Sequence, residues 1–255
     1  MKCLFFCPRW GSEASSWDTF MTRVKAAGYN GVEWAIAYDT PLNLIDEVWG
    51  LSHDYGLSLI AQHYDTNDSD FNQHFDNYAA WLVKVKPYPW LKVNSQTGKD
   101  YFSFEQNGKL IALAGGNVIH ETHRGKFSFA AHVTKTYLEA ISSLKITLDA
   151  SHWVNVAESF LEDQSEAMKL AIEATEHIHA RVGYAEGPQV PDPKVPEWQL
   201  ALEHHLKWWD QVVERRQGNV LTITPEFGPY PYLTHGGDQW EMNLYMMNLL
   251  KERYA

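Results

Sequence analysis

Apolar and polar positions along the chain form a pattern that predicts eight strands. Short apolar or alternating runs recur about every thirty residues, and each is followed by a longer stretch whose apolar positions have helical spacing. The predicted strands are residues 3–7, 31–34, 57–63, 90–94, 117–121, 145–149, 177–182 and 220–226. The predicted helices are residues 17–28, 43–56, 71–85, 102–116, 130–144, 164–176, 196–216 and 238–254.

Eight strands that alternate with eight helices predict an α/β fold, the (β/α)8 TIM barrel. The 255 residues of the chain are close to the roughly 250 residues of such barrels. A doubly wound open sheet is the alternative, but the chain has no glycine-rich G-x-G-x-x-G turn. We therefore predict one domain over residues 1–255. The longest irregular segment, residues 183–198, is expected at the barrel mouth, where long loops are often functional.

Polar residues end the later predicted strands, at the edge where barrel enzymes carry their catalytic side chains. In strand 220–226, Leu221 and Ile223 share the face that suits the helices, so Glu226 faces the barrel interior. In strand 145–149 the same alternation turns Leu148 outward and Asp149 inward. The side chains predicted to meet at the mouth are Glu121, Asp149, His177, His179, Arg181 and Glu226.

Several carboxylates at one barrel mouth repel one another. Two carboxylates about 4 Å apart repel by about 4 kcal/mol at an effective dielectric constant of about 20. One divalent cation held by two glutamates, one aspartate and one histidine relieves this repulsion. Such mixed ligands with open positions suit Mn²⁺, Co²⁺, Mg²⁺ or Zn²⁺. The alternative is a salt-bridged mouth without metal, in which Arg124 and Arg181 pair with the acids.

Further polar residues near the strand ends are candidates for substrate contact. His152 follows Asp149 by three residues and is predicted to lie on a loop, where it reaches over a substrate or has no role. Glu33 either supports the site or caps a helix. Gln62 or His63 ends the third strand. The candidate substrate-binding residues are His152, Arg181, Arg124, His177, Glu33, Gln62 and Asn94.

The chain is acidic, with 21 Lys and Arg against 32 Asp and Glu and a formal charge of -11. A protein that binds duplex nucleic acid usually carries a basic stripe, so we expect no nucleic-acid partner. No run of residues approaches the roughly 20 apolar positions of a membrane span, and we expect a cytoplasmic protein without membrane contact. Cys3 and Cys7 are expected to be small core residues of the first strand.

Aromatic residues are abundant, with 11 Trp, 13 Tyr and 11 Phe. Most are expected to fill the core. Trp10, Trp34 and Trp153 lie at or shortly after the ends of predicted strands and are candidates for an aromatic wall that packs against a sugar. The sequence THGGD before the last helix either binds an anion or is a plain turn. The sequence leaves open whether the chain forms a homo-oligomer.

At this point several motifs resemble a known group of proteins. The segments FFCPRWG, GYNGVEW, NSQTGKDYFSF, HETHRGKFSF, LDASHWV, HIHARVGYAEGPQVPD and TPEFGPYPY are similar to the xylose isomerase-like TIM-barrel superfamily, which contains sugar isomerases and epimerases and the endonuclease IV group (AP endonuclease family 2). The resemblance runs over essentially the whole chain. Its most specific parts are the Asp149-x-x-His152 pair, the HIH strand and Glu226.

The resemblance implies one divalent ion on Glu121, Asp149, His179 and Glu226, with His177 as the alternative histidine ligand. It also implies that Glu121 and Glu226 are the catalytic acid/base pair and that a small carbohydrate is the substrate. The expected activity is that of an isomerase or epimerase acting through an enediolate. The alternatives are an inosose-type dehydratase, a metal-dependent hydrolase and a non-catalytic barrel. Endonuclease activity is not expected, because Asn94 stands where the family nuclease supplies a histidine.

Overall fold

The computed structural model describes residues 2–216, 218–233 and 237–254, and its described part contains eight strands and nine α-helices. The strands are β1 Lys2–Pro8, β2 Gly31–Ala35, β3 Ser58–His63, β4 Lys92–Ser95, β5 Val118–Glu121, β6 Ile146–Leu148, β7 Thr175–His179 and β8 Val220–Thr224. The helices are α1 Trp17–Ala26, α2 Leu42–Tyr55, α3 Phe71–Val85, α4 Phe104–Ala114, α5 Ala131–Ala140, α6 Ala150–Ala157, α7 Ser165–Ala174, α8 Gln199–Arg215 and α9 Gln239–Tyr254.

The eight strands form a closed parallel barrel in chain order, in which β1 pairs with both β2 and β8. Closure pairs β8 with β1, and parallel pairing of the consecutive strands β7 and β8 places their ends side by side, with His179 paired to Thr224. The carboxyl ends of all eight strands therefore meet at one face of the barrel. The predicted (β/α)8 fold is confirmed.

Local sequence sets the helix boundaries. Ser16 and Asp70 each accept a hydrogen bond from the backbone N–H three residues later, at the start of α1 and α3. Ser103 and Gln106 form a capping box at the start of α4. Gly56 ends α2 in the left-handed conformation, with φ of 60°.

The core lies between the barrel and the helices, where the predicted outward-facing residues are found. Leu148, Ile178, Leu221 and Ile223 are all fully buried in the apolar cluster. Their strand neighbours face inward: the side chains of His177 and Thr222 are hydrogen-bonded to each other inside the barrel. The alternation that the sequence predicts for these strands is thus confirmed.

Three expectations from the sequence are wrong. Strand β7 ends at His179, so residues 180–182 lie beyond it. His152 does not lie on a loop but in α6, a helix that the sequence pattern did not predict. Trp34 and Trp153 are core residues with 6% and 1% exposure, so they do not form an aromatic wall.

No helix in the described ranges combines the length and the apolar character that crossing a membrane requires.

Candidate active site

Four of the predicted residues lie together at the carboxyl ends of the last four strands. Glu121 ends β5, Asp149 directly follows β6, His179 ends β7 and Glu226 lies two residues beyond β8. One ligand atom of each residue lies within 4.8 Å of the other three. All four are buried, which prevents water from screening the carboxylates from one another. We call these four residues the ligand cluster.

Amide side chains at the carboxyl ends of β3 and β4 contact the two glutamates of the ligand cluster. Gln62 Nε2 donates to Glu121 Oε2 at 3.1 Å and to Glu226 Oε1 at 3.3 Å, so a single amide joins both glutamates. Gln96 Nε2 lies 3.3 Å from each oxygen of Glu121. Asn94 Nδ2 adds a contact to Glu121 Oε2 at 3.4 Å. These N–H donors stabilise the ionised form of Glu121.

His179 has its two ring nitrogens in different surroundings. Nε2 lies 3.1 Å from Oε1 of Glu33, and it carries the proton because an ionised carboxylate only accepts hydrogen bonds. Nδ1 lies 3.0 Å from Glu226 Oε2 and 3.6 Å from Glu121 Oε1, but it makes no hydrogen bond with any described residue. Nδ1 and the two carboxylates need a positive charge among them, which is either a proton on Nδ1 or a metal ion. The ligand cluster therefore fits a divalent metal ion, with Glu33 orienting the histidine ring.

His177 lies deeper in the barrel and outside the ligand cluster. Its Nε2 is 3.0 Å from Glu33 Oε2, and its Nδ1 is 2.7 Å from Oγ1 of Thr222. Glu33, His177 and His179 are also close enough to hold an ion. In that group the facing atoms are already joined by hydrogen bonds, and Thr224 donates a further one to Glu33.

The positively charged side chain of Arg181 also contacts the ligand cluster. Arg181 Nη2 lies 2.9 Å from Asp149 Oδ2 and 3.6 Å from Glu226 Oε2. Arg181 is 2% exposed, so its charge acts on these carboxylates with little screening by solvent. Without a metal ion, Arg181 and a protonated His179 neutralise two of the three acids.

Burial and neighbouring charges move the pKa values of Glu121, Glu226 and His179 away from their usual values. Burial raises the pKa of Glu121, and the charges of Glu226 and Asp149 add to that effect. Burial alone would also raise the pKa of Glu226, but His179 and Arg181 hold it below the usual value. Burial would lower the pKa of His179, yet Glu226, Glu33 and Glu121 raise it well above the usual value.

A cavity of about 460 Å³ opens above the ligand cluster. This volume lies within the range of roughly 300–1,000 Å³ that small-molecule sites occupy. Its lining combines aromatic rings with polar groups: Trp10, Glu13, Ala35, Gln62, Tyr64, Gln96, His123, Arg181, Glu226 and Tyr232. A larger groove of about 580 Å³ lies at the amino-terminal ends of β4 and β5. It contains no member of the ligand cluster.

The predicted substrate-binding residues are found at different depths. Gln62 and Arg181 line the cavity. Asn94, His177 and Glu33 are buried below it, where their side chains contact one another or the ligand cluster. Residues 234–236 of the THGGD segment lie outside the described residues.

His152 and Arg124 do not line the cavity, but each contacts a residue that does. His152 is fully buried in the first turn of α6. Asp149 accepts a hydrogen bond from Ser151 N and thereby caps that helix, while its other oxygen contacts Arg181. Arg124 is partly exposed and contacts His152 Nδ1 and the Tyr232 hydroxyl.

Several cavity residues escaped the sequence analysis. Gln96 has the same strand parity as Asn94, so alternation carried one step past β4 would have identified it. His123 belongs to the polar HETHRGK motif, and its Nδ1 contacts the Arg124 carbonyl oxygen at 2.6 Å. Tyr232 lies eight residues beyond β8, where no periodic signal places it.

Glu121, His123 and His152 form a third group with ligand spacing. Guanidinium nitrogens of Arg124 and Arg181 lie 2.8 Å from the two ring nitrogens of His152. An ion bound to His152 would have to displace one of these arginines. This group fits a cation less well than the ligand cluster does.

Two solved structures share the fold over nearly the whole chain. Endonuclease IV from Thermus thermophilus matches with a TM-score of 0.63 and 15% identity, over 99% of this chain and 100% of that chain. AP endonuclease, family 2, from Brucella melitensis matches with a TM-score of 0.60 and 14% identity, over 93% and 97%. No protein-family model and no curated protein sequence matches the chain. At these identities the likeness establishes the fold, and the fold that the sequence resemblance implied is confirmed.

Proposed function

We propose that this protein is a divalent-metal-dependent isomerase or epimerase of a small sugar or a related polyhydroxy ketone. The observation that carries this proposal is the pair Glu121 and Glu226, joined by the amide of Gln62 within the ligand cluster. Two carboxylates with divergent pKa values beside a small cavity are the groups that proton transfer at carbon requires.

The metal ion would be held by the four residues of the ligand cluster. Their oxygen and nitrogen donors suit Mn²⁺, Co²⁺, Mg²⁺ or Zn²⁺. When bound, such an ion polarises a carbonyl group and stabilises the negative charge that develops on its oxygen.

Glu226 is the residue that we assign to proton removal. It lines the cavity, and Arg181 and His179 favour its ionised form. Its carboxylate therefore takes a proton from the carbon next to the substrate carbonyl, which gives an enediolate. Return of that proton to the adjacent carbon, together with movement of the neighbouring hydroxyl proton to the former carbonyl oxygen, completes an isomerisation with one carbon base.

Glu121 is the second acid/base group. It lies beneath Gln62 and Gln96, and burial raises its pKa. In the proposed mechanism Glu121 takes up a proton and returns it to the substrate carbon from a direction other than that of Glu226. Access to both faces of one carbon is what epimerisation requires, whereas isomerisation can proceed with Glu226 alone.

The cavity walls suit a carbohydrate. Trp10 and Tyr232 meet edge to face with ring centroids 5.7 Å apart, and rings of this kind pack against the C–H faces of sugars. Gln62, Gln96 and Arg181 supply polar contacts for hydroxyl groups. We therefore propose a small-molecule carbohydrate substrate.

The alternative with a specific observation in its favour is a barrel without metal. The contact of Arg181 with Asp149 at 2.9 Å supports it, because an arginine there neutralises part of the acidic charge. A dehydratase shares the first proton transfer, and a hydrolase would use the same ligand cluster to activate water. Product analysis separates these two from an isomerase.

Nucleic-acid cleavage is not part of the proposal, although the two matched structures are named endonucleases. The formal charge of -11 opposes binding to a phosphate backbone. A duplex that contains an abasic site should therefore remain intact when it is incubated with the metal-loaded protein.

The experiment that tests the proposal combines metal analysis with hydrogen exchange. Protein purified without added ions is analysed for bound metal. It is then incubated with Mn²⁺ and a panel of ketoses and inososes in deuterated water. We expect a bound divalent ion, and incorporation of deuterium next to the ketone detected by NMR. The Glu226→Gln variant should lose the exchange, whereas Glu203→Gln, which removes an exposed acid on α8, should retain it.

Two results would overturn the proposal. One is the absence of bound metal together with no thermal shift on adding Mn²⁺ or Co²⁺, which favours the salt-bridged barrel. The other is full exchange and turnover by Glu226→Gln, which removes the proposed base from the mechanism.

A further inference from the structure

Two neighbouring arginines, Arg181 and Arg124, are incompletely paired among the described residues. Arg181 makes all its hydrogen bonds to described residues through Nη2, although the guanidinium carries N–H groups on three nitrogens. Its Nε is buried and has no partner in the described part of the chain. Arg181 is 2% exposed and lines the cavity. A ligand bound in the cavity would lie against this guanidinium and offer it acceptors.

His152 cannot satisfy both arginines. Arg124 Nη1 lies 2.8 Å from His152 Nδ1, and Arg181 Nη2 lies 2.8 Å from His152 Nε2. A neutral imidazole accepts one hydrogen bond and a protonated imidazole accepts none. At least one of the two guanidinium groups therefore lacks this acceptor.

Arg124 also lacks an acidic counterpart. Among the described residues, no Asp or Glu oxygen is paired with it in a salt bridge, and its other contact is the neutral Tyr232 hydroxyl at 2.9 Å. The guanidinium carbons of Arg124 and Arg181 lie 5.9 and 5.7 Å from the centroid of the Tyr232 ring. Both charges thus face the same ring, which lines the cavity.

We propose that the molecule bound in the cavity carries an anionic group, a carboxylate or a phosphate, which Arg181 and Arg124 bind beside Tyr232. A hydroxyl group accepts hydrogen bonds but leaves the charge of Arg124 uncompensated. Carboxylate and phosphate oxygens match the planar fork of a guanidinium and compensate its charge. The inference rests on the proposed function in that the carbonyl of the same molecule is taken to reach Glu226.

Matched ligands test this inference directly. Hydroxypyruvate and dihydroxyacetone share a hydroxymethyl ketone. The second substituent of the ketone is a carboxylate in hydroxypyruvate and a hydroxymethyl group in dihydroxyacetone. Dihydroxyacetone phosphate carries a phosphate on that second hydroxymethyl group. Their dissociation constants are measured by isothermal titration calorimetry with Mn²⁺ present and absent. We expect at least one anion to bind about tenfold or more tightly than dihydroxyacetone, as hydrogen bonds to charged groups imply. Whichever anion binds more tightly identifies the group.

Arg124→Met should reduce that preference to about threefold or less, which corresponds to a difference of about 0.7 kcal/mol or less. Arg215→Met, which removes an exposed arginine from α8, should leave it unchanged. Equal binding of the three ligands by the wild-type protein contradicts the inference, whether or not Arg124→Met folds. So does an anion preference that survives in a folded Arg124→Met.

Failure of this inference can be distinguished from failure of the proposed function. If neutral ketoses exchange deuterium and the protein shows no preference for anions, the inference of an anionic group fails while the proposed function stands. Tight binding of an anion without exchange at any ketone contradicts the isomerase alone.

Discussion

Nδ1 of His179 lies 3.0 Å from Oε2 of Glu226 without a hydrogen bond between them. The opposite nitrogen is held by Glu33 at 3.1 Å, so the ring cannot turn away without losing that contact. A carboxylate on the far side of a histidine fixes the tautomer whose lone pair is directed at a metal ion. This relationship makes metal binding the first property to test.

We expect Mn²⁺ to raise the melting temperature of the wild-type protein and EDTA to reverse the effect. A ligand at a hundred times its dissociation constant stabilises the folded state by about 2.7 kcal/mol. For a domain of this size that corresponds to roughly 5–10 °C. In Asp149→Asn the shift should largely disappear, because one charged ligand is lost while asparagine can still cap α6. Differential scanning fluorimetry over a Mn²⁺ series provides the measurement.

Asp210→Asn is the matched control for that experiment. Asp210 pairs with Arg253 at 2.6 Å on the outer surface, far from the ligand cluster in the fold. Its Mn²⁺-dependent shift should equal that of the wild-type protein. A full shift in Asp149→Asn would show that the metal binds elsewhere.

Gln62 should affect turnover because it positions both acid/base carboxylates. Its amide donates to both Glu121 and Glu226, so Gln62→Met leaves two buried carboxylates without these donors. We expect a fall in kcat and a loss of about 1–3 kcal/mol of unfolding free energy. Urea denaturation and ketose kinetics measure the two effects. Gln199→Met, in which an exposed amide that donates to Glu203 is removed, should change neither. An unchanged kcat in Gln62→Met excludes a positioning role.

The sequence predicted the positions that strand alternation determines. The apolar residues of the later strands must face the helices. Side chains alternate along a strand, so the polar residues at the strand ends are expected to face the barrel interior: Glu121, Asp149, His179 and Glu226. Barrel closure then brings together the ends of β5 to β8, which no short segment of sequence shows directly. The eight-strand count predicted this closure correctly.

The unpredicted features depend on tertiary contacts. Helix α6 has eight residues, and its sequence ASHWVNVA continues directly from β6 without a turn. Asp149 caps it, and an Asp that follows a strand was a usable N-terminal signal. The burial of Trp153 comes from packing, with its Nε1 donating to Ser128 O at 2.7 Å. The contacts of Arg124 and Tyr232 join loops 108 residues apart in sequence, and no periodicity encodes them.

We expect Lys126 to make the free energy of unfolding rise with pH above neutrality. Burial lowers its pKa to about 8, and the charge of Lys99 adds to the effect. Between that value and the unfolded value of about 10.4, the unfolded chain binds a proton that the folded chain does not. The free energy of unfolding therefore rises with pH in this window. The stability gained is fully present above the unfolded pKa and is lost as the pH falls through about 8.

Lys126→Met isolates this contribution. The variant should be more stable than the wild-type protein at pH 7, by up to about 3 kcal/mol, and the difference should narrow towards pH 10. Urea denaturation at both pH values measures it. Lys109→Met, at an exposed position that pairs with Glu105, should show no such trend. A difference between Lys126→Met and wild type that does not vary with pH would contradict a lowered pKa.

Gly228 keeps the indole of Trp10 in place at the cavity wall. A Cβ atom at Gly228 would lie 2.2 Å from Cη2 of Trp10, so Gly228→Ala must displace that ring. The Gly228 backbone is fixed by Gln189, which accepts its N–H at 2.7 Å, and thus the partly exposed indole is the part that moves. Because Trp10 lines the cavity, we expect binding of a ketose to weaken on the order of tenfold, or about 1.4 kcal/mol, with little change in melting temperature. Gly50→Ala introduces the same methyl group where no atom lies within 4 Å and should leave binding unchanged. Calorimetric titration of both variants makes the comparison, and unaltered affinity in Gly228→Ala would exclude Trp10 from the binding surface.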